Sequence, residues 1–212
     1  MTHTEQNLRA QWAGLRDRLQ AKRLLEGRGA SLSLRIPGSD AMWFGLAQAA
    51  APERIALRAA PPAARLHALA YAQRGDVGAV AVGGGAFGHC LADFGGSLPQ
   101  VFDEQARHIG PMQAACRLDE AAAPPTLEGL GNAALVDGHM VCLGTTATRL
   151  GLNAELIEKC AKAYVLAVAG GGRVRPLPWI VRLVANRRLA KDQERARARL
   201  LQGLLPEESK GY

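Results

Sequence analysis

The chain has 212 residues, of which 48% are hydrophobic and 21% are charged, and its formal net charge is +7. This length suits one large domain, and this composition excludes a disordered or fibrous chain. The apolar runs are far shorter than the roughly 20 residues of a membrane span, and the charged N-terminal residues lack a secretory signal pattern, so we expect a cytoplasmic protein with no membrane partner. Four widely spaced cysteines favour reduced thiols over a zinc ribbon or a disulfide scaffold.

The first half of the chain predicts an N-terminal helix followed by short strands. Leu8, Trp12, Leu15 and Leu19 recur at helical spacing, which indicates an amphipathic helix over residues 5–26. Alternating polar and apolar residues at 31–36, a turn and an apolar run at 42–44 indicate a β-hairpin. We further expect a short strand at 54–58, a helix at 63–74, a buried strand at 76–82 and a short helix at 86–94. We interpret four aromatic residues as core or interface anchors: Trp12, Trp43, Phe44 and Trp179.

The second half contains the clearest local signal. Asp137-Gly138 separates apolar runs at 133–136 and 139–143, and this dipeptide favours a two-residue type I′ hairpin turn. Before it, residues 114–128 are expected to form a crossing loop, and after it we expect Asn153 to cap a helix over 154–169. Antiparallel hairpins between helices predict an α+β or mixed α/β layer structure, in a single domain over residues 1–212, rather than a doubly wound parallel sheet.

A basic helix is predicted near the C-terminus, over about residues 185–205. Its cations outnumber Asp192 and Glu194; they are Arg187, Arg188, Lys191, Arg195, Arg197 and Arg199. Such a helix could bind the phosphates of a nucleic acid or another polyanion. Because no aromatic residues are interleaved with the cations, a solvated helix is favoured and nucleic acid is not the expected partner.

Gly83, Gly84 and Gly85 follow the buried strand directly. With Gly88 they form the pattern Gly-x-Gly-x-x-Gly, and Asp103 lies 20 residues beyond the first glycine, as in a dinucleotide site. Only six residues separate Gly88 from the next glycine pair, fewer than a crossover helix needs, so a dinucleotide fold is disfavoured. The remaining interpretations are a close-packed turn or a loop whose backbone N–H groups bind an anion.

Several strings, in this order, resemble the class II aldolase/adducin family over about residues 8–183. They are Ala30-Ser-Leu-Ser-Leu-Arg35, Leu66-His67 followed by residues 74–82, residues 106–111, and residues 133–144 followed by a long helix. The resemblance implies a mixed α/β fold in α/β/α layers, with a largely antiparallel central sheet flanked by helices. It also implies a metal site that holds zinc or another divalent ion with a His-x-His pair and a third histidine, and a glutamate as acid/base. The metal would stabilise the charge that develops during carbon–carbon cleavage.

This chain departs from that pattern at each functional position. Gly83-Gly84-Gly85 stand where the His-x-His pair belongs, and Ala63 stands where the glutamate belongs. Gly138 takes the place of the third histidine, with His139 displaced by one residue, which on a strand turns the side chain to the other face. We therefore expect neither a metal cofactor nor conventional zinc-aldolase activity.

Our leading hypothesis is a protein without zinc-aldolase activity that either binds a small anionic ligand, of a sugar-derived or oxo-acid class, or serves in assembly. The resemblance and the hydrogen-bond donors present suggest a site made of Ser31, Ser33 and Arg35 together with the three glycines at 83–85. Sites in the family lie between subunits, which implies a homo-oligomer. The alternative is an active lyase, of aldolase or decarboxylase type, whose relocated divalent metal site (zinc, for example) is formed by His89, His108 and His139.

Overall fold

A computed structural model describes residues 2–94, 96–118 and 124–208. The helices are α1 (His3–Ala21), α2 (Arg65–Gln73), α3 (Ala86–Asp93), α4 (Asp103–His108), α5 (Ala147–Ala169) and α6 (Trp179–Leu201). The strands are β1 (Ser31–Ile36), β2 (Ala41–Leu46), β3 (Glu53–Ala56), β4 (Ala79–Gly83), β5 (Ala133–Val136) and β6 (His139–Gly144). None of the helices in these ranges combines the length and apolar character that crossing a membrane requires.

The six strands form one sheet in the order β3-β2-β1-β4-β6-β5. Each pair of neighbouring strands is antiparallel, which confirms the predicted mixed α/β class and its antiparallel sheet. Because β4 lies between two antiparallel neighbours, the glycine pattern that follows it does not open a dinucleotide-binding unit, which needs parallel strands.

Helices cover both faces of the sheet. On β1, the side chains of Leu32 and Leu34 pack toward α1 and α5, where the indole Nε1 of Trp12 donates a hydrogen bond to the Leu32 carbonyl at 2.8 Å. Tyr71 of α2 packs with Val80 of β4 in the cluster on the opposite face. A further cluster joins α3 and α5 to β5 and β6. These clusters confirm the α/β/α layering.

The hairpin between β5 and β6 has the predicted turn. Asp137 has a φ of 49° and Gly138 a φ of 75°, so both central residues adopt the left-handed conformation of a type I′ turn. Val136 pairs directly with His139 across the turn. Of the expected crossing loop at 114–128, residues 119–123 lie outside the described residues, and the rest contains one isolated bridge from Cys116 to Val136.

The helix predicted after this hairpin starts earlier than expected. Thr146, not Asn153, caps it, because the Thr146 hydroxyl accepts a hydrogen bond from the Arg149 N–H at 3.0 Å. Asn153 is buried inside α5, and its side-chain amide donates to the Leu143 carbonyl at 2.7 Å. The hydrogen bond to the sheet therefore explains why an asparagine is buried at position 153, inside the helix.

The first and last helices also differ from their predicted bounds. The first ends at Ala21 instead of residue 26, because Arg23 takes a positive φ of 55°. The basic helix starts at Trp179 instead of residue 185. Trp12 and Trp43 lie in the core as expected, whereas Trp179 is 68% exposed and is not a core residue.

Candidate functional site

The glycine loop at the end of β4 is a close-packed turn. Gly83 and Gly84 have φ values of 140° and 132°, a conformation that residues with side chains rarely adopt. A Cβ added to Gly83 would lie 2.7 Å from the Glu26 carbonyl oxygen, and the Glu26 N–H donates to the Gly84 carbonyl at 3.0 Å. The chain after α1 therefore packs directly on these two glycines.

An internal anion occupies the loop. The carboxylate of Glu158, on α5, accepts hydrogen bonds from the backbone N–H groups of Phe87 at 2.8 Å and Gly88 at 2.9 Å. These amides belong to the first turn of α3, where the helix dipole favours negative charge. The cavity that remains beside the loop measures about 10 Å³, enough for about one water molecule. The first turn of α3, directly after the glycine loop, thus binds an anion through its backbone, and that anion is part of the chain.

The predicted ligand residues of β1 lie in a row that faces α2. Ser31 and Ser33 are buried, and their hydroxyls lie 2.9 and 2.8 Å from Nε2 and Nδ1 of His67. The Ser33 hydroxyl also lies 2.8 Å from the Tyr71 hydroxyl. Arg35 is half-buried and lies over the Tyr71 ring, 5.8 Å from its centroid. Both serines therefore already have internal partners, and their role in ligand binding stays a prediction.

A large cavity opens at the opposite end of the sheet. Thr145, which follows β6 directly, lines it, whereas the glycine loop lies beside the start of β6. The cavity measures about 600 Å³, within the usual range for small-molecule sites. Four arginines line it, from α4, α5 and α6: Arg107, Arg149, Arg195 and Arg199. We call it the arginine cavity.

One wall of the arginine cavity carries His108. Burial lowers the pKa of His108 to about 4, and the neighbouring Arg149 and Arg107 add to this shift. The ring is therefore neutral at pH 7, and its Nδ1 lies 3.3 Å from the Arg149 guanidinium. A neutral imidazole can accept that hydrogen bond, which positions the guanidinium.

A buried polar network forms the floor of the arginine cavity. Arg74 and Asp76 form a bidentate ion pair with both contacts at 2.8 Å, and Arg74 also donates to the side chain of Asn132 at 3.1 Å. Gln193 of α6 donates to the same Asn132 oxygen at 3.1 Å, and Asn132 donates to the His108 carbonyl at 2.8 Å. The network therefore joins the α2–β4 turn to α4 and α6.

The three candidate metal ligands of the alternative hypothesis lie in different places. His89, on α3, packs against Gly27, while His108 lines the arginine cavity and His139 begins β6. Within residues 2–94, 96–118 and 124–208, no group of three or more histidine, cysteine, aspartate or glutamate side chains is arranged to hold a metal ion. The structure does not bring these histidines together as a ligand set.

Comparison with known proteins identifies the fold. No protein-family model and no curated protein matches the chain. Among solved structures, an L-fuculose 1-phosphate aldolase superposes with a TM-score of 0.75 at 17% identity, covering 87% of this chain and 96% of that one. YgbL from Klebsiella pneumoniae gives 0.69 at 17% identity, with 87% and 100% covered. An aldolase II superfamily protein from Pseudomonas syringae gives 0.66 at 16% identity, with 97% and 96% covered.

The chain has the class II aldolase fold. A fold hosts many functions, so the site itself decides whether this chain retains the metal that the family resemblance implies. At the expected position the class II aldolase fold here presents Gly83, Gly84 and Gly85, which supply no side-chain donors. Both oxygens of the nearby Glu158 carboxylate are engaged with backbone amides. The three glycines therefore supply no side-chain ligand at the position that the resemblance assigns to the metal.

Sequence reasoning missed the two features that define these sites. Glu158 lies inside a predicted helix with no local signal for its partners, which are 70 and 71 residues away in the chain. Arg149 follows the cap residue Thr146 and resembles any exposed helical arginine. Arg195 and Arg199 were recognised as part of the basic helix, but only the fold places them beside Arg107.

Proposed function

We propose that this class II aldolase-fold protein binds a small anionic ligand and lacks conventional zinc-aldolase activity. The observation that carries the proposal is the Glu158 carboxylate, which lies beside the glycine loop and accepts hydrogen bonds from two backbone amides of α3. Where the resemblance implies a cation held by histidines, this chain has three glycines, and the neighbouring first turn of α3 stabilises a carboxylate. The α3 amides favour negative charge, and the three glycines supply no side-chain ligand for a Lewis acid.

The ligand class follows from the fold and from the charges. One structural neighbour is named as an aldolase of L-fuculose 1-phosphate, a sugar phosphate. The arginine cavity offers cationic donors and a volume of about 600 Å³. Both features support a sugar-derived or oxo-acid anion as the ligand, because guanidinium groups pair well with phosphate and carboxylate.

Metal analysis of the purified protein tests this proposal. After incubation with zinc and removal of free metal, we expect far less than one zinc per chain and no cleavage of sugar phosphates. His139→Ala should leave the metal content unchanged, as should the matched control His3→Ala at an exposed histidine of α1. One zinc per chain that His139→Ala abolishes and His3→Ala preserves would instead support the lyase with a relocated metal site.

We also propose that the chain forms a homo-oligomer. Large apolar side chains are exposed at the end of α5 and the start of α6; they are Leu166, Val168, Trp179, Ile180 and Val184. A contiguous exposed apolar patch is typical of protein–protein interfaces, and Ile180 and Val184 line one such patch on α6. Light scattering should show that Trp179→Ala reduces the oligomer mass at low protein concentration, whereas Leu201→Ala, at the other end of α6, should not. A monomeric wild-type protein would contradict this.

A further inference from the structure

The arginine cavity lies far along the sheet from the glycine loop, and no role is attached to it by the fold. We propose that it binds a small oxyanion with two negative charges, of the phosphate-monoester class, and that the carboxylates of Glu207 and Glu208 compete with this ligand. The inference rests on the proposed function, because it gives the small anionic ligand a place.

The first support is the convergence of arginines from different elements. Arg107 comes from α4, Arg149 from the first turn of α5, and Arg195 and Arg199 from α6. Guanidinium groups on separate rigid helices can surround an anion from several sides, and each can donate two parallel hydrogen bonds to it. The α5 end adds the positive end of a helix of 23 residues.

The second support is an unsatisfied donor in the wall. Nη2 of Arg107 contacts the Asp192 carboxylate at 2.5 Å, whereas its Nη1 is buried and makes no hydrogen bond within the described part of the chain. A buried N–H without an acceptor is costly, and each such group in a folded protein calls for an explanation. Because Nη1 is closed off from the open cavity, an oxyanion would supply the missing acceptor only after the Arg107 guanidinium turns toward it.

The third support is the charge of the cavity. Among the described lining residues, four arginines face three carboxylates, Asp192, Glu207 and Glu208. Two of these carboxylates belong to the segment after α6, so their departure would leave three positive charges in excess. Burial lowers the pKa of Arg149, and Arg107 adds to this shift while Glu208 opposes it. A doubly charged anion would relieve this repulsion better than a singly charged one.

The segment after α6 holds one of its acids, Glu207, on an exposed contact. Arg199 donates to the Leu205 carbonyl at 2.8 Å and to the Glu207 carboxylate at 2.9 Å. The Glu207 side chain is 79% exposed, and exposed ion pairs contribute little because water and salt compete with them. A soluble anion at sufficient concentration can therefore replace the Glu207 carboxylate without unfolding the helix.

Titration calorimetry in chloride buffer at constant ionic strength tests the proposal, with inorganic phosphate, glycerol 3-phosphate and malonate as probes. We expect both phosphates to bind more tightly than malonate. Arg107→Gln and Arg149→Gln should each weaken phosphate binding roughly 10- to 100-fold, the loss of one hydrogen-bonded charge contact. The double variant Glu207→Gln/Glu208→Gln should tighten it severalfold. Arg187→Gln is the matched control, since Arg187 is an exposed arginine of α6 outside the cavity lining.

The outcomes separate this inference from the proposed function. If phosphate binds and the Arg107 and Arg149 variants behave like the Arg187 control, the ligand lies elsewhere, which overturns the inference and leaves the proposed function standing. If no probe binds either the wild type or the double variant Glu207→Gln/Glu208→Gln, both this inference and the anion binding of the proposed function are contradicted. The double variant Glu207→Gln/Glu208→Gln keeps the test decisive if an arginine variant does not fold. If its affinity for phosphate equals that of the wild type, the two carboxylates do not compete with the ligand, and the inference is overturned. Preference for glycerol 3-phosphate over inorganic phosphate would indicate a phosphorylated small molecule as the ligand.

Discussion

The carboxylate of Glu158 occupies the space where a side chain on Gly85 would begin: a Cβ added to Gly85 would lie 2.5 Å from Cδ of Glu158. Gly85→Ala should therefore push Glu158 off its two backbone N–H partners. Each single variant, Gly85→Ala and Glu158→Ala, should lower the free energy of unfolding by about 1–3 kcal/mol, the usual range for buried charged hydrogen bonds. Urea denaturation measures both.

The pair is expected to be coupled. Once Glu158→Ala has removed the carboxylate, Gly85→Ala has nothing to displace, so the double variant should be only slightly less stable than Glu158→Ala alone. The coupling energy from the double-mutant cycle should be about 1–2 kcal/mol. Strictly additive losses would show that the carboxylate does not exclude a side chain from residue 85.

Gly83 tests whether the loop is close-packed. Gly83→Ala should destabilise the protein by about 2 kcal/mol or more, because its φ of 140° strains any side chain and the new Cβ meets the Glu26 carbonyl. Gly14 is the control, since a Cβ added there, on α1, meets nothing within 4 Å. Gly14→Ala should stabilise the protein by about 0.5–1 kcal/mol, as alanine does in helices. Equal thermal stability of the two variants would contradict the packing.

Buried His67 predicts loss of stability in acid. Burial lowers its pKa to about 3, while the ordinary value is about 6.5. Between these pH values the unfolded chain binds a proton that the folded chain does not, so stability falls as the pH drops through this window. His108 adds the same effect down to about pH 4. From pH 7 to pH 4 we expect a loss of a few kcal/mol in urea unfolding.

The histidine responsible can be identified by substitution. His67→Gln keeps hydrogen-bonding groups beside Ser31 and Ser33 but does not titrate, so the slope of stability against pH should flatten. His3→Gln, at an exposed position, should retain the wild-type slope. The same slope in both variants would assign the acid sensitivity to other groups.

Asp76 tests the network under the arginine cavity. Asp76→Ala would leave Arg74 buried without its bidentate partner, and breaking a buried pair in this way costs about 3–5 kcal/mol. Asp17→Ala removes a pair with Arg16 in which the aspartate side chain is 64% exposed, so it should cost at most about 1 kcal/mol. Thermal unfolding compares them directly, and similar losses would refute the importance of the network.

Local sequence patterns predicted the helices and turns well, because these structures depend mainly on residues that are close together in the sequence. The heptad-like spacing from Leu8 to Leu19 produced α1, and Asp137-Gly138 produced the β5–β6 turn at the predicted residues. The start of α5 was wrong for a physical reason. Thr146 and Asn153 are both good cap residues, and only the sheet, through the Leu143 carbonyl, decides that Asn153 lies inside the helix.

The sites were harder to predict because they depend on distant residues. Three glycines were recognised as a loop that could bind an anion, yet the anion, Glu158, comes from a helix far along the chain. Ser31 and Ser33 looked available for a ligand, although the alternation of β1 turns both toward His67. Arg107 and Arg149 can be recognised as parts of one site only in the folded protein, where α4 and α5 meet at the end of the sheet.

The two-residue turn at Asp137-Gly138 also restricts how this chain could change. Val136 pairs with His139 across a turn of fixed length, so the register of β6 against β5 is fixed. The His139 imidazole therefore cannot move to the opposite face of the sheet by a shift in register. Point substitutions leave the alternation of the strand intact. Only the gain or loss of one codon in the hairpin would rotate every side chain of β6, and that would also expose buried residues such as Val141 and Leu143.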